Sequence, residues 1–256
     1  MFLLFAEEIP SQNLGFVDPK ATNLDIDVGR RTHTIQQSPG LLTSDRDAGT
    51  TGAVLWKTTP LVANWLSSTK NFLWELGWLR SDAKIVELGC GISGLIPLSM
   101  ASSLSSGVYA LTDQAYVMKI LHQNINTNQS SQALGRCPRQ RLQIHTLVLD
   151  WETDAVSNVT TLLGKDNDID LIVACDCIYN EYLIQPFVST CASLCALRSS
   201  GSRMTGLLMA QQLRSEDVLQ MWLDAMLKSF WVFRVPAHCL PEGLRIGHVI
   251  HFAILR

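Results

Sequence analysis

Short apolar runs alternate with segments of helical periodicity from about residue 54 to the end of the chain. Such alternation is typical of a parallel sheet with helices on both faces. The run Leu171–Cys175 is the most uniformly apolar, which predicts a strand near the centre of the sheet and buried on both sides. The pattern predicts seven strands: Ile85–Leu88, Val108–Thr112, Leu142–Leu149, Leu171–Cys175, Thr205–Ala210, Trp231–Val235 and His248–Leu255.

Apolar residues at helical spacing predict the connections between most of these strands. One helix is expected to begin at Pro60 with Thr59 as its N-cap, and another to follow Ser215 as a cap. The last two strands are joined by a loop without a helical pattern, so we expect them to pair antiparallel. The fold class is α/β, with a Rossmann-like seven-stranded sheet, an antiparallel C-terminal hairpin and helices on both faces. Further helices are predicted at Gly94–Leu104, Ala115–Ile125, Tyr182–Leu197 and Val218–Leu227.

The beginning of the chain has a different character. Residues 1–52 show no sustained periodicity and are rich in Ser, Thr, Asp, Gly and Pro. This composition predicts short strands or coil, with a mobile loop near residues 36–52. We therefore expect an N-terminal extension at 1–53 and one domain at 54–256.

Composition and charge narrow the class of protein. The chain has 256 residues, of which 47% are hydrophobic and 17% charged, so a globular fold is expected. Its net charge of −3 argues against direct nucleic-acid binding, and no apolar run is long enough to cross a membrane. Seven cysteines without a C-x-x-C pair indicate free thiols in a reducing compartment. We expect a monomer in the cytoplasm, or alternatively the nucleus, without a metal site.

The segment Lys84–Gly94 runs from a short apolar strand through closely spaced glycines into a helix. This layout lets backbone N–H groups and a helix N-terminus face a polar ligand. Gly89, Gly91 and Gly94 satisfy G-x-G-x-x-G, which nicotinamide, flavin and methyl-donor enzymes share. Glu87 precedes the glycines at the end of a buried strand, where a carboxylate is costly unless loop amides or a ligand supply partners.

Acidic and aromatic residues follow the next two predicted strands. Asp113 can accept both ribose hydroxyls of an adenosyl group, and it can also cap the following helix. The ribose role suits NAD and S-adenosylmethionine equally. Asp150 and Trp151 end the third strand, where ligands bind in open α/β sheets. The Trp151 ring can lie against an adenine or pack in the core.

The sequence Asp176-Cys-Ile-Tyr179 ends the fourth strand, which we expect to lie beside the first. Burial of Asp176 after five apolar residues is costly without a hydrogen-bond donor. Tyr179 adds a hydroxyl group close to the expected cofactor. Asp176 or Asn180 could instead cap the next helix, but that role leaves the aromatic residue unexplained. Together these residues favour S-adenosylmethionine over a dinucleotide.

With these residues the chain resembles the seven-β-strand protein-lysine methyltransferases of the methyltransferase-16 type, a class I methyltransferase fold. Within them it is most similar to the fungal enzymes that methylate ribosomal proteins. The resemblance covers about residues 54–256, and Ser93 departs from it where relatives often carry glycine. The motifs that carry it are Val54-Leu-Trp56, Glu87-Leu-Gly-Cys-Gly91, Asp113, Asp150-Trp151 and Asp176-Cys-Ile-Tyr179.

The resemblance implies transfer of a methyl group from S-adenosylmethionine to a lysine of a large-subunit ribosomal or other translation-related protein. Asp176 and Tyr179 would face the methyl-transfer region, with Asp176 positioning donors on cofactor or substrate and Tyr179 forming a wall of the lysine channel. Neither needs to act as a base. The cofactor-binding residues would be Trp56, Glu87, Gly89, Cys90, Gly91, Asp113, Asp150, Trp151 and Cys175.

Three other functions remain open at this level. A nicotinamide-dependent oxidoreductase would require a donor pair such as Tyr-x-x-x-Lys, which the sequence lacks. A catalytically silent binding module is disfavoured by the intact glycine loop and Asp113. A nucleic-acid or small-molecule methyltransferase could use the same fold, although no N-P-P-Y motif is present.

Overall fold

The structure is a computed structural model that describes Leu4 and residues 15–44, 49–132, 142–163, 168–198 and 203–256, without the side chains of residues 130–132. The strands are β1 (Asn23–Val28), β2 (Arg31–Gln36), β3 (Lys84–Leu88), β4 (Val108–Asp113), β5 (Gln143–Val148), β6 (Leu171–Cys175), β7 (Gly206–Gln212), β8 (Phe230–Arg234) and β9 (His248–Leu255). The helices are α1 (Pro39–Leu42), α2 (Thr58–Ser67), α3 (Phe72–Glu75), α4 (Leu95–Met100), α5 (Met118–Gln132), α6 (Ser157–Leu163), α7 (Ile184–Ala196) and α8 (Glu216–Met226). Short 3-10 turns lie at Thr51–Ala53, Glu181–Leu183, Ala237–Cys239 and Glu242–Leu244.

The main sheet has seven strands in the order β5-β4-β3-β6-β7-β9-β8. The first five run parallel, and β9 pairs antiparallel with both β7 and β8. Strand β6 is fourth of the seven, next to β3, and each of its residues is buried. The predicted α/β fold with its antiparallel C-terminal hairpin is therefore confirmed.

Hydrophobic cores lie on both faces of this sheet. Alternate residues of β6 serve the two sides, with Val173 in one core and Ile172 in the other. Residues from α2, α4 and α5 cover the first face, and residues from α6, α7 and α8 cover the second. This two-sided cover leaves the ends of the parallel strands as the open edge, which is where α/β proteins bind ligands.

Strands β1 and β2 form a separate antiparallel hairpin that attaches to α5 through two asparagines. The Asn128 side chain accepts from the Thr34 N–H at 3.1 Å and donates to the Thr34 carbonyl at 2.9 Å. Asn124 makes the same pair of bonds with Gln36, at 2.8 and 3.0 Å. Because residues four apart share one helix face, the two amides satisfy the edge of β2 as a neighbouring strand would.

The glycine loop is linked to this hairpin through the same helix. The Asn124 amide also donates to the carbonyl of Ile92 at 2.7 Å. The hairpin and the loop that follows β3 are thereby both bound to Asn124. Within residues 36–52, expected to be a mobile loop, the structure describes α1 and the turn Thr51–Ala53, whereas residues 45–48 lie outside the described ranges.

Two predicted helix caps have different outcomes. Ser215 caps α8 as predicted, because its hydroxyl accepts from the Val218 N–H at 3.3 Å. The prediction of Thr59 as N-cap is wrong: α2 begins at Thr58, and Lys57 at the cap position is already in the right-handed helical region. The Thr58 hydroxyl donates instead to Asp176, across 118 residues of sequence.

Candidate active site

The carboxyl ends of β3, β4 and β6 open into a cavity of about 190 Å³. The segment before α2 and the loop after β5 complete its wall. Of the sequence-predicted site residues, Glu87 alone is absent from the wall. The others that line it are Trp56, Gly89, Cys90, Gly91, Asp113, Asp150, Trp151, Cys175, Asp176 and Tyr179.

The glycine turn after β3 is shaped by steric limits. Gly89 and Gly91 have φ of 64° and 61°, a left-handed conformation that favours glycine. A Cβ on Gly89 would lie 2.8 Å from the Cβ of Cys177 and 3.2 Å from the Trp151 ring. Helix α4 has only six residues, so the loop amides rather than a long helix dipole face the cavity. Ser93, the departure from the family pattern, accepts from the Leu95 N–H at 3.3 Å and so supports the first turn of α4.

Glu87 lies behind the glycine turn, where only 2% of its surface is exposed. Its Oε2 accepts from the Tyr109 hydroxyl at 2.7 Å. Burial raises the pKa of Glu87 to about 8, although the bond from Tyr109 opposes the shift. The side chain therefore stays largely protonated at neutral pH, and its partner is a core tyrosine rather than a loop amide.

Asp113 connects the end of β4 to the glycine turn. Its Oδ2 accepts from the Gly91 N–H at 2.8 Å, and its Oδ1 accepts from the Gln114 N–H at 2.7 Å. Burial raises the pKa of this carboxyl to about 6, while the two backbone donors lower it. These two bonds go to the glycine loop and to the next residue, and lone pairs of the carboxylate remain for a ligand in the cavity.

Trp151 serves the core and the cavity together. Its ring packs edge-on against Phe187, with centroids 5.2 Å apart, and it also lies over Gly89. Its Nε1 is buried and has no hydrogen-bond partner in the structure. Asp150 has local partners: it accepts from the Glu152 N–H at 3.0 Å and the Gln114 amide at 3.3 Å.

Trp56 and Tyr179 form an aromatic part of the cavity wall. The rings of Trp56 and Tyr179 stack at 5.9 Å and 20°, and Phe16 meets Trp56 edge-on at 4.6 Å. The Trp56 indole donates to the Thr51 carbonyl at 3.0 Å, and Tyr179 Oη lies 2.8 Å from Thr51 Oγ1. Burial raises the pKa of Tyr179, so the phenol remains protonated.

Asp176 is held by donors of the chain itself. Arg214 donates to both carboxylate oxygens, at 2.8 and 2.5 Å. Thr58 Oγ1 donates at 3.0 Å and the Gln212 N–H at 3.1 Å. From the sequence, Asp176 is predicted to position donors on cofactor or substrate; in the structure its carboxylate accepts these four bonds. The helix start beyond it is capped by Asn180, which accepts from the Tyr182 N–H at 3.1 Å.

Several residues at or next to the cavity could not be predicted from the sequence. Phe16, Thr51, Thr58 and Arg214 belong to no recognisable motif, and they come from segments far apart in the chain. Arg214 had one positional signal, since it follows the end of a strand next to β6. Among the residues that the structure describes, no three His, Cys, Asp or Glu side chains are grouped to hold a metal ion, and no helix is long and apolar enough to span a membrane.

A family model and two yeast relatives identify the family of this chain. A family model described as lysine methyltransferase matches residues 35–228, a region that begins inside the expected N-terminal extension. The ribosomal lysine N-methyltransferase 5 of Kluyveromyces lactis is 30% identical, covering 84% of this chain and 81% of that protein. Its namesake from Zygosaccharomyces rouxii is 32% identical, covering 75% and 69%.

A third relative has a different name. The diaminohydroxyphosphoribosylamino-pyrimidine deaminase of Schizosaccharomyces pombe is 31% identical over 83% of this chain, which spans 46% of that protein. Among solved structures, a transferase from Pyrococcus horikoshii matches with a TM-score of 0.50 at 10% identity, covering 92% of this chain and 72% of that one. A mitomycin 7-O-methyltransferase has the same TM-score at 9% identity, covering 81% and 57%. At such low identity these two structures show the fold alone.

Proposed function

Because the chain belongs to the lysine methyltransferase family, an S-adenosylmethionine-dependent group of protein-modifying enzymes, we propose that it methylates a lysine of a ribosomal protein. The two yeast relatives named ribosomal lysine N-methyltransferase 5 support this substrate. The observation that carries the proposal is that the glycine turn, Asp113, Trp56 and Tyr179 all line one cavity. Such a cavity can hold a methyl donor on one side and an amine on the other.

The residues present suit an adenosyl ligand. The glycine turn brings backbone amides to the cavity, and Trp151 adds an aromatic residue to its wall. In our proposal, the remaining lone pairs of Asp113 accept from the ribose hydroxyls while Gly91 holds the carboxylate in place. When bound, S-adenosylmethionine supplies a methyl carbon whose bond to sulfur breaks, with the electron pair kept by sulfur, as the lysine nitrogen bonds to that carbon.

The acceptor side needs a neutral amine in line with the methyl group. A free lysine has a pKa near ~10.4, so it must lose a proton before the reaction. We assign Tyr179 and Trp56 to the wall that orients the lysine, since their stacked rings are fixed by Thr51. A protonated phenol can accept a hydrogen bond from the amine without acting as a base. The proton that the lysine loses before the reaction goes to solvent. Alignment of this kind is a large source of acceleration.

The proposed setting follows from the substrate. Ribosomal proteins are made in the cytoplasm, and we place the enzyme there as a monomer. The described cysteines are free, as suits a reducing compartment. A protein substrate needs no nucleic-acid contact from this chain.

Labelling tests the proposal directly. Purified protein is incubated with tritiated S-adenosylmethionine and ribosomal fractions from cells that lack the endogenous enzyme. We expect one labelled protein, whose modified residue mass spectrometry identifies as lysine. Label on no ribosomal protein would overturn the proposed substrate. Calorimetry with NAD runs in parallel, and NAD binding in place of S-adenosylmethionine binding would support the oxidoreductase alternative.

A further inference from the structure

Four segments of the chain, distant in sequence, meet at the side chain of Arg214. Two are the ends of β6 and β7, which contribute Asp176 and Gln212. The third is the segment before α2, where Trp56 lies beneath the guanidinium at 5.0 Å from the ring centroid. The fourth is the N-terminal segment at Gly15, whose added Cβ would overlap Gln212 Oε1 and lie 2.5 Å from Arg214 Nη2. Arg214 is therefore the point where these segments are locked together.

The Asp176 carboxylate is buried, and its acceptor positions are all used. The Asp176 side chain has 0% exposure and that of Arg214 has 20%. Two bonds from Arg214, one from Thr58 and one from the Gln212 N–H fill the four principal acceptor positions of the carboxylate. A buried carboxylate is stable only with such partners, and removal of one is strongly destabilising to the arrangement.

Arg214 acts on the cavity at one remove. It is absent from the lining of the main cavity, whereas Asp176 and Trp56 both belong to it. The Arg214 guanidinium thus binds the Asp176 carboxylate and also lies over the Trp56 ring. Asp176 also has φ of 56°, an uncommon conformation for a residue with a side chain, so the backbone at the end of β6 is held in a particular shape.

We propose that Arg214 is a positioning residue for methyl transfer, which fixes Trp56 against Tyr179 through its bond to Asp176. The proposal rests on the proposed function and adds a residue to that same site. The aspartate then organises the site from behind and does not contact the lysine. The planar guanidinium is essential, because a lysine cannot form two parallel bonds to a carboxylate and stack on an indole at once.

The test compares Arg214→Lys with Arg256→Lys. Arg256 stacks on Trp231 at 4.3 Å in the closing strand pair, so it offers the same kind of contact away from the site. We expect Arg214→Lys to lower kcat by about tenfold or more, as loss of alignment does. The KM for S-adenosylmethionine should change by less than about threefold, because Arg214 does not touch the cavity that holds it. Arg256→Lys should leave both constants unchanged.

A second measurement does not require turnover. The fluorescence contribution of Trp56 is obtained by subtracting the spectrum of each protein with an added Trp56→Phe change. We expect this contribution to shift to longer wavelength in Arg214→Lys, since the ring loses its cover, and to stay constant in Arg256→Lys. Wild-type kcat in Arg214→Lys, or an unchanged Trp56 spectrum, would overturn the inference. If the wild-type protein labels no ribosomal protein, the proposed substrate fails while the Trp56 spectrum still decides the role of Arg214.

Discussion

Tyr179 and Thr51 are 128 residues apart in sequence, and their hydroxyl oxygens lie 2.8 Å apart at the cavity wall. One belongs to the Asp176-to-Tyr179 motif, and the other to a segment that the sequence assigned to an extension. The bond closes the wall between the two. The N-terminal part of the chain is thereby a component of the candidate active site.

Replacement of Tyr179 by Phe removes this bond while keeping the ring that stacks on Trp56. Since one hydrogen bond contributes about 1 kcal/mol, we expect kcat/KM to fall about fivefold. Thr51→Val should have the same effect, and the double variant should be no worse than either single one, because all three lose one bond. Steady-state kinetics measure this. Tyr182→Phe is the control, since that side chain is 76% exposed, and additive losses would contradict the shared bond.

Asp113 predicts a pH dependence of donor binding. Its pKa is about 6, above the ordinary 3.8, so a proton occupies the carboxyl below that pH. Ribose hydroxyls donate to the ionised form, so the affinity for S-adenosylmethionine should fall by up to about tenfold per pH unit below pH 6. Asp113→Asn should bind about tenfold more weakly at pH 8 and show no such slope.

Calorimetry between pH 5 and 8 gives the answer. Asp224→Asn, at an exposed position on α8, should follow the wild-type curve. A wild-type affinity that stays flat through pH 6, or an Asp113→Asn protein with wild-type affinity, would exclude the ribose contact.

Glu87 predicts a pH dependence of stability. Its pKa is about 8 in the folded protein, against 4.5 for an unperturbed Glu, so folding retains a proton that the unfolded chain releases. The stabilisation from Glu87 is fully present below pH ~4.5 and is lost as the pH rises through about 8. The free energy of unfolding of the wild type, relative to Glu87→Gln, should fall by up to about 1.4 kcal/mol per pH unit across this window.

Denaturant titrations at several pH values measure that difference. Glu75→Gln, at an exposed glutamate, should run parallel to the wild type at every pH. The same pH dependence in wild type and Glu87→Gln would show that Glu87 ionises freely in the folded state.

Gly15 predicts that the N-terminal segment affects catalysis. The residue has φ of 89°, and an added Cβ would press on Gln212 and Arg214. Gly15→Ala should therefore displace the Arg214 guanidinium and lower kcat in the same manner as Arg214→Lys. Gly40→Ala is the matched control, because a Cβ there meets nothing within 4 Å. Equal activity of the two variants would separate the segment from the site.

Almost the whole of the seven-stranded sheet could be predicted from the sequence. The apolar run Leu171–Cys175 has no polar residue to place outward, so its position at the sheet centre follows from composition alone. The glycine spacing and the acids at strand ends likewise mark the cavity, because parallel strands end at one edge. Residues whose roles depend on local geometry could therefore be predicted from the sequence.

Residues whose roles depend on distant partners were not. Arg214 takes its role from Asp176, 38 positions earlier in the chain, and no local pattern encodes that pairing. Thr59 was predicted as a cap because Pro60 follows it. In the structure α2 already begins at Thr58, whose hydroxyl makes a tertiary hydrogen bond to Asp176. Short strands were predicted in the region of β1 and β2, yet their attachment to α5 depends on two asparagines without a recognisable motif. Asn124 lies in the predicted helix Ala115–Ile125, whereas Asn128 lies beyond it.

The asparagine pair on α5 binds β2 by its peptide groups alone. An attachment of that kind is indifferent to which side chains the strand carries. An exposed position such as Arg31 can therefore change without loss of these four bonds. Asn124 and Asn128 cannot change in this way, because their side-chain amides make all four bonds. Two helix residues can therefore hold the strand in place while an exposed side chain on it is replaced.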